Sequence, residues 1–171
     1  MASNKQPTDK PLVKFDQVTY QHYGKPTPAL SEINLTVRRG SFTLLVGPSG
    51  SGKSTLCMLL NGIIPQILGG KLTGTVTVDG QDVSNTPVQE LAKSTGMLFQ
   101  DPEWMFATLK VEDEIAFGPE NLRREPADIL KSVEQSLDYV GMQHLRNNLV
   151  WALSGGQTQK LGLASVIAMQ T

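Results

Sequence analysis

Two short glycine-rich turns hold the residues best suited to chemistry. The first, GPSGSGKST, runs from Gly47 to Thr55 and has the spacing of a phosphate-binding loop: Gly47, four residues, then Gly52, Lys53 and Ser54. Glycine lets backbone N–H groups approach an anion with no Cβ in the way. Gly47, Ser49, Gly50, Ser51 and Gly52 therefore predict a cradle of donors at a helix start. Lys53 adds a mobile cation for the outer phosphates of a nucleotide, Ser54 a hydroxyl that can ligate Mg²⁺, and Thr55 completes the binding set. The second turn lies within LSGGQTQK, Leu153 to Lys160, and places Ser154, Gly155, Gly156 and Gln157 at another helix start. A hydroxyl, bare backbone donors and the helix dipole make this a second anion site. Taken alone, it reads more readily as an N-cap serine followed by glycines that ease a tight turn.

The elements that must position these turns follow from hydropathy. LVKFDQVTY (12–20) and ALSEINLTVRRG (29–40) alternate like strands, with the turn QHYGKPTP between them. FTLLVG (42–47) is a continuous apolar run, suited to a strand buried on both faces, and KSTLCMLLNGI (53–63) reads as the helix after the loop. PQILGGKLTG (65–74) reads as loop, TVTVDG (75–80) as a strand ending in an Asp-Gly turn, and TGMLFQ (95–100) as a second buried strand stopped by Asp101-Pro102. Beyond Gln100 the pattern becomes helical. VEDEIAFG is a short candidate, and PADILKSVEQSLDYVG has Pro126 near its start, Gly141 at its end and one apolar face of Ile129, Leu130, Val133, Leu137 and Val140. A last helix begins at Ser154 and runs to about Met169.

Composition excludes several classes. A net charge of −1 with scattered Lys and Arg gives no basic footprint, so nucleic acid is not an expected partner. The single cysteine, Cys57, rules out a disulfide framework and reads as a small buried filler of the helix. No apolar run approaches the roughly 20 residues that span a bilayer.

Taken with the first turn, LSGGQ resembles the signature motif of ABC-type ATPases, and the likeness runs from about Leu12 to Thr171. It implies an α/β P-loop NTPase core, a β subdomain plus a RecA-like sheet, with an inserted helical subdomain. The division it implies is a loose tail over 1–11, an ATP-binding core over 12–100, a helical subdomain over 101–152 and the signature with its helix over 153–171. In that family two units pack head to tail, so Ser154, Gly155, Gly156 and Gln157 would act in trans on a partner's nucleotide. Gln100 resembles the Q-loop residue that approaches Mg²⁺. An aromatic that stacks on adenine belongs in YQHYG: Tyr23 is the choice, with Tyr20 and His22 as alternatives.

NGIIPQILGGKLTGTVTVDG and FQDPEWMFATLKVEDEIAFGPENL further resemble ATPases of energy-coupling factor importers, which take up vitamins, vitamin precursors or metal ions. That resemblance implies ATP and Mg²⁺ as cofactors, a second ATPase unit, a transmembrane coupling protein and a substrate-binding membrane component. The implied address is the cytoplasmic face of the membrane. Met105 and Phe106 read evenly as part of a groove for a coupling helix or as core of the helical insert. The family's strand ending in Asp-Glu should begin just after Thr171, and neither His22 nor His144 fits its switch histidine. No catalytic base is therefore assigned, and the chain reads as truncated before the Walker B strand and inactive alone. The competing readings are a soluble ABC-type factor on ribosomes or chromosomes and a P-loop kinase acting in cis. Only 53 residues separate Gln100 from Ser154, without heptads, which disfavours a chromosome-type coiled coil. LSGGQ at a helix start argues against the kinase.

Overall fold

The computed structural model describes residues 10–171, which divide into two compact units, one up to Thr95 and one from Gly96 onward. Most of the tail expected over 1–11 lies outside the described residues; Pro11 already belongs to the first strand.

The first unit is built on an antiparallel sheet. Strand β1 (Pro11–Gln21) pairs with β2 (Leu30–Arg38) on one side and β3 (Lys71–Val78) on the other, and β4 (Gln81–Asp82) closes the order β2-β1-β3-β4. The apolar alternation of β1 changes phase part-way: Val13 and Phe15 are buried, and then Val18 and Tyr20. A register shift between Phe15 and Val18 absorbs the extra residue, with Gln17 at φ 52 and its N–H donated to Asn34 Oδ1 at 2.9 Å. All four side chains thus enter one core with Leu59, Ile64, Val76, Val78, Val83 and Leu91. Asp79 and Gly80, both at positive φ, make the two-residue hairpin turn that the Asp-Gly pair predicts. Helix α1 (Lys53–Leu60) follows the first glycine turn, and a short helix α2 (Val88–Leu91) carries the buried Leu91.

The second unit is helical: α3 (Val111–Asn121), α4 (Pro126–Val140) and α5 (Gly155–Ala168). Val111, Ile115, Val133, Leu137, Val140, Leu161, Ala164 and Ala168 form its core, so the segment after the second turn packs with the helical insert. Pro126 opens α4, and Gly141 ends it at φ 68, where the Met142 N–H reaches back to Leu137 O at 2.9 Å. On that helix Leu130 is exposed while Val133, Leu137 and Val140 are buried. Glu114 is 4% exposed, yet its carboxylate accepts hydrogen bonds from Ala107 N, Thr108 N and Thr108 Oγ1 at 2.8–2.9 Å. Those three bonds compensate its burial and pin the loop before α3.

Four expectations are corrected. PQILGGKLTG is not all loop: Ile63–Ile67 is a helical turn, and residues 71–74 already belong to β3. FTLLVG is not a strand: Phe42, Leu44 and Val46 are 93%, 74% and 76% exposed, with no ladder bonds. TGMLFQ is likewise coil, with Leu98 and Phe99 exposed. A strand buried on both faces exists only with paired neighbours, and among the described residues the one sheet contains neither segment. Cys57 is exposed, because α1 turns Thr55 and Leu59 inward and leaves the position midway between them outside.

Candidate functional site

The first glycine turn leads into the N-terminus of α1. Gly52 is the N-cap at φ 89, and a Cβ there would lie 2.7 Å from Ala29 O and 2.8 Å from Leu30 Cδ2. Backbone strain and lack of space therefore both exclude any other residue. Gly50, at φ 79, faces open space. The Lys53 ammonium folds back over the loop and donates to Gly47 O at 2.8 Å, Pro48 O at 2.7 Å and Ser51 Oγ at 3.2 Å. Among the described residues its partners are neutral oxygens, and no carboxylate pairs with it. A cation held by dipoles at a helix N-terminus suits an incoming polyanion, so these residues fit a nucleotide phosphate. Ser54 is exposed on the first turn of α1, where a hydroxyl can serve an Mg²⁺ bound with that phosphate. Thr55 is buried, and its Oγ1 lies 3.2 Å from His22 Nε2.

The aromatic cluster of β1 separates by role. Tyr20 is fully buried and donates to Gly69 O at 2.8 Å, and burial raises its phenol above the usual tyrosine range. His22 lies edge-on to Tyr20 with ring centroids 4.9 Å apart. Tyr23 is 92% exposed, its ring open to a flat ligand. The link from His22 to Thr55 was not legible in sequence, since it joins residues 33 apart.

The second turn is an N-terminus of a different kind. Ser154 caps α5, and its N–H donates to Gln157 Oε1 at 2.8 Å, the reach-back half of a capping box. Gly155 and Gly156 have ordinary φ, and a Cβ on either would meet nothing within 4 Å. Neither the backbone conformation nor crowding within the chain requires glycine there. Near this turn a groove of about 310 Å³ is lined by Glu103, Phe106, Thr108, Val150, Trp151 and Leu153, together with Thr158 of α5. Phe106 also packs on the helical core, as one of its two readings expects. Met105 is half-buried, with its sulfur accepting the Phe99 N–H at 3.4 Å. Gln100 is exposed in the loop before Pro102. The phosphate loop and Tyr23 belong to the first unit, and Gln100 and Ser154–Gln157 to the second.

A family model described as ABC transporter matches residues 30–171, from β2 through both glycine turns. The chain belongs to the ABC transporter family. Its sequence is 43% identical over 159 residues to an ABC transporter ATP-binding protein of Methanosarcina mazei, covering 93% of this chain and 27% of that one. A Saccharolobus solfataricus protein of the same description is 41% identical over 154 residues, covering 90% and 29%, and one from Enterococcus faecalis 38% over 162, covering 95% and 28%. The chain thus spans little more than a quarter of the length of these curated relatives. Among solved structures it is similar to cbiO1 from Clostridium perfringens, described as part of the ABC transporter complex cbiONQ. There the TM-score is 0.79 at 30% identity, over 95% of this chain and 63% of that one. The fold is accordingly that of a P-loop ABC ATPase core of mixed helix and sheet, as the motifs imply. Among the described residues of this ABC domain, no helix is long and apolar enough to cross a membrane, and no group of His, Cys, Asp or Glu is arranged to hold a metal ion.

Proposed function

We propose that this chain is the nucleotide-binding part of an ABC importer of the energy-coupling factor type, one that takes up a vitamin, a vitamin precursor or a metal ion. ATP binding and hydrolysis in a head-to-tail pair of such units would drive uptake. The observation that carries the reading is the bareness of Gly155 and Gly156: two glycines that the chain's own packing does not need, at an exposed helix start. Such a surface suits close approach by an anion held on another unit. The backbone of Gly47–Gly52 and the Lys53 ammonium hold the β- and γ-phosphates, while Tyr23 offers its exposed ring to adenine. Mg²⁺ would supply charge neutralisation between those phosphates, with Ser54 and Gln100 as its side-chain contacts. Ser154, Gly155, Gly156 and Gln157 close over the partner's γ-phosphate. Loss of that phosphate then removes the bonds that favour the closed pair. The groove beside Phe106 and Trp151 suits a coupling helix of a membrane protein, which would place the chain at the cytoplasmic face of the membrane beside a substrate-binding component.

Replacing Ser154 with Arg in the full polypeptide tests the reading. ATP binding should persist, while ATP-dependent pairing and turnover should fall by at least about a hundredfold, as for loss of a direct transition-state contact. Unchanged hydrolysis by this variant would remove the trans role.

A further inference from the structure

A hydrogen-bonded chain in the first unit ends on the phosphate-loop helix. The Tyr20 hydroxyl donates to Gly69 O at 2.8 Å, and His22 Nδ1 lies 3.4 Å from the same phenol oxygen. At the far side of the ring, Nε2 is 3.2 Å from Thr55 Oγ1. Hydrogen accounting fixes the direction of this chain. Tyr20 has one hydrogen, already given to Gly69, so the bond between Tyr20 and His22 takes its hydrogen from Nδ1. In the neutral ring Nε2 is then an acceptor, and the Thr55 hydroxyl donates to it.

Thr55 also has only one hydrogen. A phosphate can only accept, so a Thr55 hydroxyl that turns to donate to it abandons His22. Nε2 and Oγ1 would then face each other as two acceptors. The repair that leaves Tyr20 on Gly69 is a proton on Nε2, which makes the ring a donor at both ends. We propose that His22 is a positioning residue that couples phosphate binding at Thr55 to uptake of one proton from solvent, an inference that rests on the nucleotide reading above. The groups around the ring permit it. Tyr20 faces it from β1, and α1 contributes Thr55 and, two residues earlier, Lys53, whose ammonium is bonded to Gly47, Pro48 and Ser51. The carboxylates of Asp16, Asp79, Asp82 and Glu90 are engaged by Lys14, Arg39, the Ser84–Asn85 turn and Lys93. Among the described residues, none hydrogen-bonds to His22 to hold it permanently charged.

The experiment is calorimetric ATP binding by the full polypeptide, between about pH 6 and pH 8, in buffers of different ionisation enthalpy. ATP's own ionisation contributes equally to every variant, so differences between variants carry the result. The native protein should take up close to one more proton per nucleotide than His22→Gln, and its affinity should weaken by up to about tenfold more per pH unit. Thr55→Val, at the other end of the same bond, should lose the same excess uptake. Equal proton uptake by the native protein and both variants, with ATP still bound, would overturn the role of His22 alone. No ATP binding by the native protein at any pH would overturn the nucleotide reading, and this inference with it.

Discussion

Gly52 and Gly156 both stand at the first turn of a helix, yet a methyl group added to one strikes Ala29 O while the other has nothing within 4 Å. The phosphate loop needs glycine for its own fold. The second turn does not, which is what the proposed contact with another unit would account for. Loop shape and bare surface are thus separate uses of one residue type, and they predict opposite responses to the same substitution.

The largest effect belongs to Gly52→Ala. Positive φ alone costs a side-chain-bearing residue about 1–3 kcal/mol, and the overlap with Ala29 O adds to it. Thermal unfolding of the first unit should move down, and ATP affinity should be lost with it. Gly162→Ala should come next. A Cβ there would sit 2.7 Å from Leu98 Cδ1 and 2.9 Å from Pro102 Cβ, an overpacking of about 1–3 kcal/mol offset by about 1 kcal/mol of helix propensity. Denaturant melts should report a modest net loss in the second unit. Gly156→Ala sharpens the contrast most: the fold should be unchanged or up to about 1 kcal/mol more stable, while ATP-dependent pairing disappears. A destabilised Gly156→Ala would break the comparison, because it would reveal a need for glycine within the chain.

The smallest effect is a pH dependence. Burial raises the Tyr20 phenol above its unfolded value of 10.0, so its contribution to stability is whole below that pH and is lost as pH rises past it. Tyr20→Phe should flatten the alkaline limb of a stability–pH curve, at the cost of the bond to Gly69 O.

What could be read from sequence was what a segment decides for itself. The strands β1 and β2, the Asp79-Gly80 turn, the limits of α4 at Pro126 and Gly141 with its buried Val133, Leu137 and Val140, and the start of α5 at Ser154 are local patterns, and each appears in the fold; Leu130, counted in the same stripe, is exposed. Phe42–Gly47 and Thr95–Gln100 were misread because an apolar run becomes a strand only when other strands pair with it. Cys57 was misread because Leu56 to Leu60 are apolar without interruption, so the pattern does not show which face of α1 is inward. In the site, the order of glycines, Lys53 and Ser54 was legible from spacing. Which of Tyr20, His22 and Tyr23 turns inward was not, since the register shift at Gln17 changes the phase of β1 before it reaches them.

The three oxygens under the Lys53 ammonium bear on which anions this loop can hold. An arriving anion does not find a vacant cation; it must displace two carbonyls and a hydroxyl that already satisfy one. Binding is an exchange, and only the difference between the outgoing and incoming oxygens is gained. Chloride or acetate can replace only one or two of those three oxygens at a time. A polyphosphate, with several fully charged oxygens reaching ammonium and backbone at once, gains on every exchange. The lysine's own resting bonds therefore act as a threshold that favours nucleotides over the simple anions that surround them.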